Sequence, residues 1–309
     1  MKYVIIGAGG TGGAIGGFLS RAGKDTTLIA RGPHLTAMQK KGLHFETPDG
    51  AYTVPVKACS MEEYQDTPDI IFVCVKGYSL EETIPFIRRI AASHTIVIPI
   101  LNIYGTGGKL QEKLPELAVT DGCIYIAAQI TAPGTILLSG KIFKVVYGLR
   151  KDTPAKSADA LMPILETVLT DLNDADITPT LSSQIEIDAL QKFSFVSPMA
   201  ALGTYCDITA QDVQTPGEYR TLFLSLIREV RAISVAMGTA IPANIEGINL
   251  GIMDALAPEA TTSMQRDIKA GKPSEVDGLV YEVVRLGKQF GVEVPIYEKI
   301  AEELKARGL

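Results

Sequence analysis

Gly7-Ala8-Gly9-Gly10-Thr11-Gly12 follows directly on the apolar run Lys2 to Ile6, and no other segment restricts the fold as much. The run reads as a buried strand, and Thr11 to Arg21 as a helix that Gly23 closes. Thr26 to Ala30 reads as the next strand. Such a strand, glycine turn, helix and strand, spanning about 30 residues, form the mononucleotide-binding half of a doubly wound sheet. In that unit Gly7 permits the tight turn, Gly9 lets the backbone approach a pyrophosphate, and Gly12 lets the helix close on the strand. Ala8, Gly10 and Thr11 complete a loop that, with the helix N-terminus behind it, favours an anion. A glycine-rich turn without a ligand and a flavin dinucleotide site are the competing readings of this motif.

A helix is expected near Leu35 to Lys41. A hairpin follows, Leu43 to Glu46 and Tyr52 to Val56, around the turn signal Pro48-Asp49-Gly50. Ile70 to Val75 is almost wholly apolar, as in a parallel strand covered on both faces. A helix over Leu80 to Ile90 and a strand over Thr95 to Ile100 come next. Ile124 to Ala128, Thr135 to Leu138 and Phe143 to Gly148 read as strands, with Pro133-Gly134 as a turn. Ala158 to Leu169 reads as a helix, and Asp174 to Thr178 as the last strand of this half. From about Ser182 the pattern is helical; between Gly217 and Met237, Leu222, Leu226, Val230 and Ile233 share one face. The expected architecture is an α/β Rossmann N-terminal domain with a mostly parallel sheet over residues 1–180. An all-α C-terminal domain follows over residues 181–309.

With 309 residues, 46% of them hydrophobic and 21% charged, the chain can bury a core in each domain. A formal charge of -6 supplies no field suited to nucleic acid, so an anionic ligand must be held by local basic groups. No apolar run reaches the length of a membrane span, and the first residues lack a signal-peptide pattern, so a cytoplasmic location is expected. Cys59, Cys74, Cys123 and Cys206 form no CxxC pair, and His34, His44 and His94 are scattered. Neither a metal site nor a histidine-based triad is expected. The sequence is compatible with a homodimer without specifying one.

The end of the second strand selects the dinucleotide. Leu28-Ile29-Ala30-Arg31-Gly32 has no Asp or Glu where an NAD site places one for the ribose hydroxyls. Arg31 can instead pair with a 2′-phosphate through two hydrogen bonds, which favours NADP(H) over NAD(H); a solvated surface arginine is the bland alternative. Lys76 and Asn102 follow two strand ends, on the side where open α/β sheets bind ligands. Lys76 can reach a phosphate or a carboxylate, and Asn102 a ribose or a substrate, or each can be merely exposed. Reduction of a ketone needs a proton for the developing alkoxide. Lys192 is the only basic residue between Lys156 and Arg220 and lies in a largely apolar helical stretch. It either snorkels to solvent or points into a cleft. Ser263 and Ser274 can each cap the helix that follows, the second with Asp277 in a capping box. Glu275 is favoured in a first helical turn and can equally face the cleft and pair with Lys192.

Taken in order, these residues resemble the ketopantoate reductase (2-dehydropantoate 2-reductase) family over nearly the whole chain. The family's glycine loop corresponds to Gly7 through Gly12, and its NADP-selecting arginine to Arg31. Its lysine after an apolar strand corresponds to Lys76, and its asparagine to Asn102, with Ile103 in place of the usual glycine. Its mid-chain turn corresponds to Pro133-Gly134, and its catalytic lysine to Lys192 in Gln191-Lys192-Phe193. Its SSMxxD segment corresponds to Thr262-Ser263-Met264-Gln265-Arg266-Asp267, and its acidic segment to Ser274-Glu275-Val276-Asp277. The resemblance implies NADPH-dependent reduction of 2-dehydropantoate to pantoate, a step toward pantothenate and coenzyme A. It implies that Lys192 is the general acid and that Glu275 orients it and hydrogen-bonds substrate or ribose. It further implies that Ser263 binds the substrate carboxylate and that Asn102 places substrate or nicotinamide. Val196 and Ala200 stand where many members carry asparagines that contact substrate, which leaves another 2-oxo acid open as the substrate. A sister reductase for such an acid, and a non-catalytic NADP-sensing protein, are the alternatives.

Overall fold

The computed structural model describes the backbone of residues 1–309 and every side chain except that of residue 155. The chain forms two compact units, Met1–Leu101 with Gly105–Glu186, and Asn102–Tyr104 with Ile187–Leu309.

The first unit opens with β1 (Lys2–Ile6), α1 (Gly10–Arg21), β2 (Asp25–Ile29), α2 (Gly32–Lys41), β3 (Leu43–Thr47), β4 (Gly50–Val54) and β5 (Lys57–Cys59). It continues with β6 (Ile70–Val73), α3 (Leu80–Ile90), β7 (Ile96–Pro99), α4 (Thr106–Lys113) and β8 (Ala118–Val119). It closes with β9 (Asp121–Ala132), β10 (Thr135–Gly148), α5 (Ala155–Asp174) and β11 (Thr178–Leu181). Six strands make a parallel sheet in the order β5-β2-β1-β6-β7-β8. Strands covered on both faces need no polar alternation, and β1, β6 and β7 are apolar for that reason. Successive side chains still point to opposite sides. Tyr3, Ile5, Phe72 and Ile98 join the core that includes α1 and α5, whereas Val4, Ile6, Val73 and Val97 join the core that includes α3 and α4.

The remaining strands form a second sheet, which the sequence reading does not anticipate. Its order is β11-β10-β3-β4, with β9 also paired to β10. β10 is long enough to carry β3 beside its first half and β11 beside its second, both parallel, while β9 runs antiparallel to it. α1 contacts strands of both sheets. Five of its 12 residues are glycine, a composition that costs a helix about 1 kcal/mol per residue relative to alanine. Packing explains it. A Cβ on Gly12 or Gly16 would strike Gly7 O or Leu28, and one on Gly10, Gly13 or Gly17 would strike Ala128, Ile136 or Phe45. The glycines let the helix approach a sheet on each side.

The expected strand at Asp174 to Thr178 is corrected. α5 runs on to Asp174, Asp176 takes a left-handed φ of 59°, and β11 begins only at Thr178. β5, β8 and α4 carry too little periodicity to be read from sequence. A buried network fastens α5 to the parallel sheet: Tyr3 Oη donates to Asp171 Oδ2 at 2.5 Å, and Lys24 Nζ lies 2.7 Å from Asp171 Oδ1.

The second unit is helical: α6 (Ile185–Cys206), α7 (Ala210–Gln214), α8 (Glu218–Ala236), α9 (Ile245–Asp254), α10 (Ser263–Lys269), a π-helical turn at Asp277–Tyr281, α11 (Glu282–Phe290) and α12 (Pro295–Ala306). Leu226, Val230 and Ile233 of α8 are buried, and Gly238 follows that helix with φ 67°. Pro198 interrupts α6, and a proline cannot donate to the carbonyl four residues earlier. That carbonyl, of Ser194, accepts from Asn249 Nδ2 at 3.0 Å instead. Glu229 supplies a second internal cap: its two carboxylate oxygens accept from the amides of Ile296 and Tyr297, at 2.8 and 3.0 Å, in the first turn of α12.

Candidate functional site

β1 ends at Ile6, and the chain turns at Gly7 with φ 93°, a conformation glycine adopts without strain. The Gly7 and Ala8 amides donate to Ile29 O at 3.2 and 3.1 Å, which ties the loop to the end of β2. A side chain at Gly7 would lie 2.9 Å from Val75 Cγ1, so the segment after β6 sits against the turn. Gly12 is closed from the other side, where a Cβ would lie 2.2 Å from Gly7 O. Gly9 differs: a Cβ there would meet nothing within 4 Å, so the backbone is approachable. The Gly13 amide donates to Gly9 O at 2.7 Å and opens the helical ladder of α1, leaving the amides of Gly10, Thr11 and Gly12 ahead of it. No acidic residue stands in that first turn to compete with an anion.

Arg31 is exposed and immediately precedes α2, with no carboxylate at the end of β2. Lys76 is half-buried, three residues beyond β6 and just before a single 3-10 turn. β6 stops two residues short of the expected Val75. The glycine loop, Arg31 and Lys76 all belong to the first unit. Their chemistry, an open glycine backbone at a helix N-terminus with basic side chains on the loops after β2 and β6, suits an anionic dinucleotide.

His34 is a member of this corner that sequence reading missed, because nothing in its spacing marks it. Its Nδ1 accepts from the Gly134 amide at 2.9 Å, which ties the turn between β9 and β10 to the start of α2. Gly134, at φ 76°, leaves room for Ala37, which a Cβ would approach to 2.8 Å. Burial lowers the pKa of His34, and a contact with the Ala8 backbone opposes that shift.

The other candidates lie in the second unit. Lys192, half-buried on α6, donates from Nζ to Asn102 Oδ1 at 2.6 Å. Asn102 belongs to a tripeptide that packs entirely within this unit. Ile103 lies on Gly278, and the Tyr104 ring is 6.2 Å from that of Phe193, the neighbour of Lys192. Glu275 is 5% exposed and stands just before the helix that opens at Val276, its carbonyl accepting from the Leu279 amide at 2.9 Å. An ammonium held on a neutral amide oxygen carries a transferable proton, and such a group can protonate an alkoxide.

The expected cap at Ser263 is corrected. Thr262, rather than Ser263, caps α10 through a capping box with Gln265, and Ser263 is the first helical residue. Both oxygens of Asp277, the first residue of the π-helical turn, accept from Arg285, at 2.8 and 3.0 Å. Val196, one turn past Lys192, is half-buried, and Ala200 is fully buried in the helical core. Among the described residues no group of His, Cys, Asp and Glu could hold a metal ion, and no helix is long and apolar enough to cross a membrane.

The family described as ketopantoate reductase PanE/ApbA matches residues 3–151, and its C-terminal counterpart matches residues 184–308. A 2-dehydropantoate 2-reductase of Mesorhizobium japonicum is 28% identical, covering 97% of this chain and 95% of that protein. The crystal structure of 2-dehydropantoate 2-reductase from Methylococcus capsulatus has a TM-score of 0.86 at 21% identity, covering 100% of this chain and 97% of that one. A ternary structure of D-mandelate dehydrogenase with NADH and anilino(oxo)acetate has a TM-score of 0.89 at 20% identity, covering 99% and 98%.

The His34 contact needs an unprotonated Nδ1. With its folded pKa below the ordinary value of about 6.5, protonation favours the unfolded chain. Its stabilising contribution is complete above that value and is lost as the pH falls from there toward the lower folded pKa. His34→Gln, which does not titrate, is expected to flatten the fall in Tm between neutral pH and mild acid. Parallel Tm curves for the two proteins would remove His34 from the account.

Proposed function

Since the chain belongs to the ketopantoate reductase family, we propose that it is an oxidoreductase that reduces a 2-oxo acid with NADPH, 2-dehydropantoate being the first candidate substrate and pantoate its product. The observation that carries the reading is the Lys192 ammonium held on Asn102. In this reading the Gly7 to Gly12 loop holds the pyrophosphate, Arg31 the 2′-phosphate, and Lys76 a further anionic group. NADPH supplies the hydride. Lys192 donates the proton to the carbonyl oxygen as the alkoxide develops, so the alcohol forms without a free oxyanion. Asn102 fixes the direction of the amine and contacts substrate or nicotinamide ribose. Glu275 orients the same amine, and Ser263, not needed as a cap, binds the substrate carboxylate.

A second substrate is favoured by one specific feature. Val196, half-buried one turn beyond Lys192, offers no hydrogen bond, so that stretch of the helix suits an apolar 2-oxo acid side chain better than a hydroxylated one.

Three measurements test these readings. Lys192→Ala should lower kcat by roughly two to four powers of ten, the scale of a lost acid catalyst, with NADPH affinity near wild type; an undiminished kcat would reject Lys192 as the acid. Arg31→Ala should raise KM for NADPH far more than KM for NADH, and equal increases would remove the 2′-phosphate assignment. Rates of NADPH oxidation with 2-dehydropantoate and with phenylglyoxylate separate the two substrates, the larger kcat/KM deciding between them.

A further inference from the structure

Gly278 lies inside the π-helical turn Asp277–Tyr281, buried, and its φ is not in the left-handed region. Backbone conformation therefore does not require glycine, and glycine inside a helix costs stability relative to alanine. What requires it is Ile103. A Cβ at residue 278 would lie 2.3 Å from Ile103 Cδ1, 2.6 Å from Cγ1 and 3.1 Å from Cγ2. Three atoms of a β-branched side chain with restricted χ1 cannot all be relieved by rotating its tip. Ile103 is also the residue directly after Asn102, whose Oδ1 receives Lys192 Nζ at 2.6 Å.

We propose that Gly278 is a positioning residue: its bare Cα is the socket for Ile103, and the depth to which Ile103 seats fixes where Asn102 meets the Lys192 amine. Three anchors then hold the tripeptide: Asn102 on α6, Ile103 on the π-helical turn, and Tyr104 beside Phe193. Glu275 stands three residues before the socket, so one seating event sets the spacing between the helix that carries Lys192 and the segment that carries Glu275. The wide turn is itself supported from α6, where Ser197 Oγ donates to Leu279 O at 2.6 Å. Such π-helical turns recur at functional sites. Position 103 is where the resemblance leads one to expect glycine, so in this chain an isoleucine takes that place and Gly278 leaves the room for it.

The catalytic consequence rests on the proposed reductase reading; the packing consequence does not. Gly278→Ala should push Ile103 out of its socket and lower kcat by about 10²-fold, the effect of an ångström-scale misplacement, with NADPH affinity unchanged. Adding Ile103→Ala should restore kcat to that of Ile103→Ala alone. Wild-type kcat in Gly278→Ala, or a double variant no better than Gly278→Ala, overturns the proposal. Independently of turnover, the rate at which dilute acetic anhydride acylates Lys192, followed by mass spectrometry, should rise in Gly278→Ala and return in the double variant. Equal acylation in all the proteins overturns the socket. A shifted acylation in a chain that reduces no 2-oxo acid upholds the socket and counts against the reductase reading.

Discussion

The approach of α1 to the strands around it is the contact on which the first unit depends. A residue larger than glycine at position 12 would collide with Gly7 O, and one at position 17 with the Phe45 ring. The same closeness that joins the two sheets fixes where β1 releases the chain into the loop. The turn at Gly7, the open backbone at Gly9 and the packed face at Gly12 are three results of a helix seated as near its strand as a backbone allows. Amides that are to hold an anion must not move when it arrives, and in the proposed reading this packing supplies that rigidity.

The second unit solves a different problem with the same means. A long helix that carries a lone amine has to be held in azimuth, and α6 is held by groups that repair its irregularities. Asn249 takes over the carbonyl that Pro198 leaves without a donor, and Ser197 reaches the carbonyl of Leu279 in the π-helical turn. Buried polar groups without partners cost about 1–3 kcal/mol each, so these side chains are as specific as any apolar contact. Glu229 belongs with them. Burial raises its pKa, its two backbone donors oppose the rise, and it joins α8 to the first turn of α12.

Much of the molecule was legible because local patterns were strong. The apolar runs of β1, β6 and β7 and the helical period of α3 and α8 stand where the residues put them, and a hairpin does form at Pro48-Asp49-Gly50, with its second strand at Gly50–Val54 instead of the expected Tyr52 to Val56. The ends were less legible. α5 outran its apolar stripe, β6 stopped at Val73, and Thr262 took the cap that Ser263 was equally able to fill, because a cap is decided by which hydroxyl the backbone presents to the third amide. In the candidate site, the glycine loop and the basic residues after β2 and β6 could be named from type and spacing. His34 and Gly278 could not, since each matters through a partner about 100 or 175 residues away.

The sequence by itself determined the α/β opening, the helical second half, the glycine loop and the solitary amine at position 192, because strand and helix periods and glycine spacing are local properties of the chain. Only tertiary structure decided that β3, β4, β9, β10 and β11 make a sheet of their own. It alone set residues 102–104 within the helical unit and drew Asn102 onto Lys192, 90 positions along the chain. Strand partners and side-chain contacts depend on which surfaces fit when the whole chain is compact, and no window of neighbouring residues contains that fit.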